Sequence, residues 1–115
     1  MHRIVYFTSR CDIIFQSIMN LIKSLEKLIT FETVVGDRAQ NRKALNWVKS
    51  QVKGLPVYVE DRSFNGFDSL IITTKKTKKP NLWLSAHLDV VPSSSKGFIP
   101  KIKGNRIYGR GVYDM

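Results

Sequence analysis

Residues 85–92 read Ser-Ala-His-Leu-Asp-Val-Val-Pro and place a histidine and an aspartate two positions apart. They begin within the apolar run Leu82–Ala86, whose composition predicts a short strand buried on both faces. Ligands in open α/β sheets bind beyond the carboxyl ends of strands, and alternation along an extended chain places His87 and Asp89 on the same side. The stretch is therefore consistent with a metal-binding strand end. It is also consistent with an ordinary one, in which His87 bonds to a carbonyl and Asp89 caps the next turn.

A second constrained segment lies close to it in sequence. Residues 106–115 read Arg-Ile-Tyr-Gly-Arg-Gly-Val-Tyr-Asp-Met. Gly109 and Gly111 permit backbone angles and close approaches that other residues resist, and Asp114 follows them. Taken alone, the segment equally fits a glycine hinge followed by a solvated aspartate. As an RNA-binding segment it is weak, because it holds one Gly-Arg-Gly and no repeat.

Composition favours one globular domain. The chain has 115 residues, of which 43% are apolar and 24% charged, a balance typical of folded proteins. Its single cysteine, Cys11, excludes an internal disulfide and fits a reducing compartment. We interpret Cys11 as a semi-buried apolar residue. The apolar stretches are too short to cross a bilayer, so a cytoplasmic location is predicted.

The charge is strongly positive and unevenly distributed. The net charge is +10, and residues 75–110 hold nine Lys or Arg against one acid, Asp89. Such a tract is found in small nucleic-acid-binding modules, and it could equally be one face of a larger protein. Lys75–Lys79 lies between two predicted strands without interleaved aromatic residues, so the sequence offers no stacking platform there.

Two helices are predicted in the first half of the chain. Ser9 and Asp12 have the spacing of an N-terminal capping pair, and Asp37 and Gln40 repeat that spacing before the second helix. Gly54 is expected to end the second helix. The apolar stripes that define the helices are Ile14, Ile18, Leu21, Ile22, Leu25, Leu28 and Ile29 in the first, and Ala44, Leu45, Val48 and Val52 in the second.

The second half predicts strands. Val57–Val59 and Ser69–Thr74 flank the turn dipeptide Asn65-Gly66 and predict a hairpin. Leu82–Ala86 predicts a further strand, and a turn at Gly104-Asn105 predicts a small second hairpin. The expected order is helix, helix, three strands, a loop and a final strand, which places the chain in the α/β or mixed class.

Taken together and in this order, the motifs resemble one family. This is the family of dizinc metallopeptidases and amidohydrolases that includes acetylornithine deacetylase, succinyl-diaminopimelate desuccinylase, aminoacylase and glutamate carboxypeptidase. The segments that carry the resemblance are Leu25–Val34, His87–Pro92, Phe98 with Pro100, Tyr108–Gly111, and Asp114 with Met115. The ordered combination is far more specific than either motif alone, and it covers nearly all of the chain except about the first dozen residues.

The resemblance implies a fold and a set of roles. Residues 1–115 would be the N-terminal part of a zinc-exopeptidase-like, three-layer α/β domain with an incomplete sheet, and residues 1–12 would be an extra or poorly ordered segment before it. His87 would be a terminal zinc ligand and Asp114 would bridge two zinc ions, for which cobalt or manganese could substitute. Asp89 would be the catalytic residue that orients His87. The peptide bond after the bridging aspartate is often cis in this family, and here it would join Asp114 to Met115.

The family's chemistry is hydrolysis of amide or peptide bonds in N-acyl amino acids or small peptides, by a water molecule that the metals activate. The general-base glutamate and the remaining ligands of the family are absent from this sequence. The resemblance thus implies a part of a longer enzyme, with a homodimer among the arrangements open to the full-length form. By itself this part is expected to bind zinc weakly and to hydrolyse nothing.

Three hypotheses therefore stand. The first is the N-terminal part of a zinc-dependent hydrolase, and the second is a small basic nucleic-acid-binding module. The third is a short protein whose partner supplies the missing ligands.

Overall fold

The computed structural model describes residues 3–5 and 18–114, with side chains from residue 21 onward. The helices are α1 (Ile18–Ile29) and α2 (Arg38–Gln51), and the strands are β1 (Arg3–Val5), β2 (Tyr58–Phe64), β3 (Phe67–Thr73), β4 (Ala86–His87), β5 (Lys101–Lys103) and β6 (Arg106–Tyr108), with a 3₁₀ turn at Ser95–Phe98. Neither helix has the length and apolarity needed to span a membrane within the described ranges.

Helix α2 forms as its sequence predicts. The Asp37 side chain accepts a hydrogen bond from the backbone N–H of Gln40 at 3.0 Å, which satisfies one of the free donors at the start of the helix. The helix ends near Val52, and Gly54 has a φ of +86°. The predicted cap, stripe and stop signal of this helix are all confirmed.

Helix α1 is described only from Ile18, so the predicted cap at Ser9 and Asp12 lies outside the described residues, as does Cys11. The apolar stripe is covered unevenly. Ile29 is buried, whereas Leu21 and Ile22 are exposed. The end of α1 is therefore the part that packs against the rest of the chain.

The β2–β3 hairpin supplies the main core. Asn65 and Gly66 both have positive φ, 48° and 82°, as the tight hairpin turn between Phe64 and Phe67 requires. Alternate residues of β3 are buried beneath α2, as expected for a strand with one covered face. The core cluster consists of Leu45, Val48, Val52, Leu70 and Ile72.

The larger sheet has the order β2-β3-β1-β4, in which β1 is parallel to β3 and antiparallel to β4. Strand β1 has no counterpart in the predicted order, because its pairing with Ile71 and His87 spans more than sixty residues of sequence. Strands β5 and β6 form a separate hairpin around Gly104, as predicted. The described part of the chain is thus a mixed α and β unit with two helices and small sheets.

One strand prediction is wrong. The run Leu82–Ala86 was expected to be a strand buried on both faces, but β4 comprises only Ala86 and His87, and Leu82, Trp83 and Leu84 are 50–59% exposed. An apolar run shows that burial would be favourable, but burial also requires strands and helices that cover it. Among the described residues, β4 pairs with β1 alone, through two residue pairs.

Candidate metal centre

The loop after α1 forms hydrogen bonds with the strand end that carries the predicted site residues. The hydroxyl of Thr33 donates to the carbonyl of Leu88 at 2.6 Å. The N–H of Val90 donates to the Thr33 carbonyl at 2.9 Å, and the N–H of Val35 donates to the Val90 carbonyl at 3.0 Å. Three hydrogen bonds between residues 33–35 and 88–90 therefore fix the backbone on both sides of Asp89, next to His87.

The His87 imidazole has a defined orientation. Its Nδ1 lies 2.9 Å from the backbone carbonyl oxygen of Asp89 and 3.5 Å from Oδ1 of the same residue. A carbonyl oxygen can only accept a hydrogen bond, so Nδ1 carries the proton in this contact. In the neutral imidazole, Nε2 then presents a lone pair.

That lone pair faces the second predicted ligand. Nε2 of His87 lies 3.6 Å from Oδ2 of Asp114. The Asp89 side chain is 9% exposed and that of Asp114 is 67% exposed. The His87 imidazole thus lies between one carboxylate in the protein interior and another in solvent. The structure thus brings together His87, Asp89 and Asp114, which the sequence separates by up to 27 positions.

The glycine segment explains how Asp114 reaches this position. A Cβ on Gly109 would lie 2.7 Å from the side chain of Ile29, at the end of α1. Gly111 has a φ of +83°, and a Cβ there would lie 2.8 Å from Val90. Only glycine allows both the left-handed backbone and the close approach. The peptide bond to Met115 falls outside the described residues.

Two cavities meet at the site. An open cleft of about 580 Å³ is lined by His87, Asp89, Asp114 and the segments 90–91 and 109–113. A smaller cavity of about 100 Å³ shares these three side chains and is also lined by residues of α1 and by Thr33. We call the larger of the two the site cleft. The imidazole and both carboxylates lie on its wall.

The donor geometry suits a zinc ion. Two ligand atoms that each lie about 2.0–2.2 Å from a tetrahedral zinc ion are separated by roughly 3.3–3.6 Å, and the Nε2–Oδ2 distance is 3.6 Å. Neutral imidazole and carboxylate are both common zinc ligands. The site is partial, however: in the described part of the chain, no group of three or more His, Cys, Asp or Glu side chains is placed to hold a metal.

A charged cluster away from the site was missed at the level of sequence. Asp68 is buried on β3, where Arg38 and Arg42 of α2 pair with its carboxylate at 3.1 and 2.9 Å. The hydrogen bond from Arg38 lowers the pKa of Asp68 from 3.8 to about 2, with further lowering by Ser63 and Arg42 against an opposing effect of burial. This cluster fastens α2 to the sheet, and its residues lie 26 and 30 positions apart, beyond the reach of local pattern.

Comparison with known proteins agrees with the motifs. No protein-family model matches the chain. Over 101 residues it is 34% identical to succinyl-diaminopimelate desuccinylase from Sulfurovum sp. (strain NBC37-1), covering 84% of this chain and 26% of that enzyme. It is 30% identical to carboxypeptidase G2 from Pseudomonas sp. (strain RS-16), covering 91% of this chain and 28% of that enzyme. The chain spans about a quarter of the length of these curated relatives. It is a distant homologue of the N-terminal part of this metallopeptidase and amidohydrolase family, as its motifs predict.

Proposed function

We propose that this chain forms the N-terminal part of the catalytic domain of a zinc-dependent hydrolase, which cleaves amide or peptide bonds in N-acyl amino acids or small peptides. The observation that carries the proposal is the pairing of His87 Nε2 with Asp114 Oδ2 at 3.6 Å, while Nδ1 is bonded to Asp89. With Nδ1 protonated, the neutral imidazole presents its Nε2 lone pair to the Asp114 carboxylate, and both groups are ligand types that zinc accepts.

In this proposal His87 and Asp114 would hold the zinc pair, His87 as a terminal ligand through Nε2 and Asp114 as the ligand that the two ions share. Cobalt or manganese could replace zinc. When bound, the metals would supply a water of lowered pKa and would polarise the scissile carbonyl. The full domain would have the three-layer architecture of the family, and further chain would supply the general-base glutamate and the remaining ligands.

The residues of this chain have their own tasks in the reaction. Asp89 fixes the tautomer of His87 through its carbonyl and carboxylate, and such partners raise the basicity of a ligating imidazole. The apolar side chains of Val90, Val91 and Val112 line the site cleft beside the donors.

A metal titration tests this proposal. Because catalytic zinc normally has three protein ligands, we expect the chain to bind Zn²⁺ weakly and at a measurable level by isothermal titration calorimetry. His87→Ala and Asp114→Asn should each weaken binding by at least about tenfold. The matched control is Asp61→Asn, which removes an exposed carboxylate paired with Lys49 and should leave affinity unchanged. Equal Zn²⁺ affinity in all four proteins would contradict the proposed ligands.

One observation favours a second candidate, a small basic nucleic-acid-binding module. A groove of about 820 Å³ on the sheet brings Tyr58 and Trp83 beside Lys76 and Lys78, so the fold creates the aromatic and cationic combination that the linear sequence lacks. A gel shift with generic single-stranded RNA, weakening steeply as salt rises, would support this candidate. The absence of a shift at low salt would exclude it.

A further inference from the structure

Thr33 makes an unusual set of contacts for a loop residue. It is 4% exposed, and both its side chain and its backbone bond to the strand end across 55 and 57 positions of sequence. Its hydroxyl donates to the carbonyl of Leu88, and its own carbonyl accepts from the N–H of Val90. Thr33 therefore binds two consecutive peptide units, one on each side of Asp89.

The second of those peptide units is the one that contacts His87. The N–H of Val90 and the carbonyl of Asp89 belong to the same planar peptide, in which the two groups point in opposite directions. When the N–H is held by Thr33, the carbonyl is directed toward the imidazole, and Nδ1 of His87 lies 2.9 Å from it. Bonds in such a chain polarise and strengthen one another.

We propose that Thr33 is a positioning residue of the metal centre, which acts through the backbone of residues 88–90 to keep Nε2 of His87 directed at Asp114. This inference rests on the proposed function and assigns to the loop after α1 a task in metal binding as well as in folding. The hydroxyl fixes the Leu88 carbonyl, and it thereby supports the backbone bond from Val90 to Thr33 that orients the next peptide. Without the hydroxyl, that backbone bond is the one left of the two, so the peptide should turn more freely and the preference for the Nδ1-protonated tautomer should weaken.

The test uses two readouts on the 115-residue chain. The first is the tautomer of metal-free His87, from the ring ¹⁵N shifts at about pH 8, where a free imidazole is neutral. The second is Zn²⁺ affinity by calorimetry. In Thr33→Val we expect a mixture of tautomers and an affinity about tenfold lower, the size typical of residues that orient a ligand. Thr33→Ser keeps the hydroxyl and should restore both values.

Thr30→Val is the matched control. The Thr30 hydroxyl also donates to a backbone carbonyl, that of Lys27 at 2.7 Å, but Thr30 is an exposed residue directly after α1. Its removal should change neither readout. If Thr33→Val does not fold, Thr33→Ala replaces it, because a water molecule can then reach the Leu88 carbonyl; a smaller loss in the same direction is expected.

The outcomes separate the two proposals. A wild-type chain that binds no Zn²⁺, yet shows the tautomer change in Thr33→Val, would overturn the proposed function and leave the positioning role of Thr33 intact. Wild-type binding that depends on His87 and Asp114, with both readouts unchanged in the Thr33 variants, would overturn the inference alone. Lower thermal stability with an unchanged tautomer and affinity would mean that Thr33 serves the fold only.

Discussion

Two regions of this chain are built from similarly apolar sequence and end in opposite environments. In the α2–hairpin region, Leu70 and Ile72 of β3 are each 1% exposed. In the strand-end region before His87, Leu82 and Leu84 are 55% and 50% exposed. Burial of apolar side chains stabilises the first region. Hydrogen bonds between residues 33–35 and 88–90 and the close contacts of Gly109 and Gly111 stabilise the second, so its order depends on a few specific contacts.

The largest effect on stability should come from shortening a buried side chain of the α2–hairpin region. Ile72→Ala removes buried methyl groups from the core and should lower the free energy of unfolding by about 2–5 kcal/mol. Leu84→Ala makes the same kind of change at a half-exposed position and should cost less than about 0.5 kcal/mol. Urea unfolding followed by circular dichroism measures both. Similar losses in the two variants would show that the regions are equally buried.

An intermediate effect is expected at Gly111, which joins the strand-end region to Asp114. Gly111→Ala adds a Cβ 2.8 Å from Val90 at a φ of +83°, and the close contact should destabilise the chain by about 1–3 kcal/mol in addition to the cost of the left-handed backbone. Gly66→Ala is the control, because Gly66 has nearly the same φ, +82°, with no atom within 4 Å of the added carbon. Gly66→Ala should lower the free energy of unfolding by about 1 kcal/mol, the cost of placing alanine in a left-handed backbone conformation. Equal losses would refute a packing role for Gly111.

A smaller effect is expected at the charged cluster of the first region. Asp68→Asn should cost about 1 kcal/mol at neutral pH, since the two partner guanidinium groups are half exposed and screened by solvent. The folded pKa of Asp68, about 2, lies below the unfolded value of 3.8. Its contribution is therefore present above about pH 4 and is lost as the pH falls toward 2.

The measurement is the free energy of unfolding of wild type and Asp68→Asn between pH 2 and 7. The difference between them should shrink below about pH 4 and be largely lost by about pH 2, where Asp68 is half protonated in the folded state. Asp61→Asn, at an exposed ion pair with Lys49, should differ from wild type by less than about 0.5 kcal/mol throughout. A constant difference for Asp68→Asn down to pH 2 would contradict the assigned pKa.

The same contrast explains what could be predicted from sequence. The cap at Asp37, the turn at Asn65-Gly66 and the hairpin turn at Gly104 depend on residues within a few positions of one another, and all three form as predicted. The two site motifs also placed His87 and Asp114 in one family pattern. In the structure they lie 3.6 Å apart.

The remaining features depend on contacts between distant residues. Strand β1 pairs with Ile71, Thr33 bonds across 55 positions to Leu88, and Asp68 meets Arg38 across 30. No local periodicity encodes these pairings. The exposure of Leu82 could not be predicted either, because apolar composition indicates that a residue favours burial but not which segment covers it.

The central claim is that Nε2 of His87 and the carboxylate of Asp114 share a cation. The most direct measurement is the ¹⁵N spectrum of the His87 ring during Zn²⁺ titration of the wild-type chain and of Asp114→Asn. We expect the Nε2 resonance to shift on Zn²⁺ addition while Nδ1 stays protonated, with a much weaker response in Asp114→Asn. A shift at Nδ1 instead, or an identical Nε2 response in both proteins, would contradict the claim.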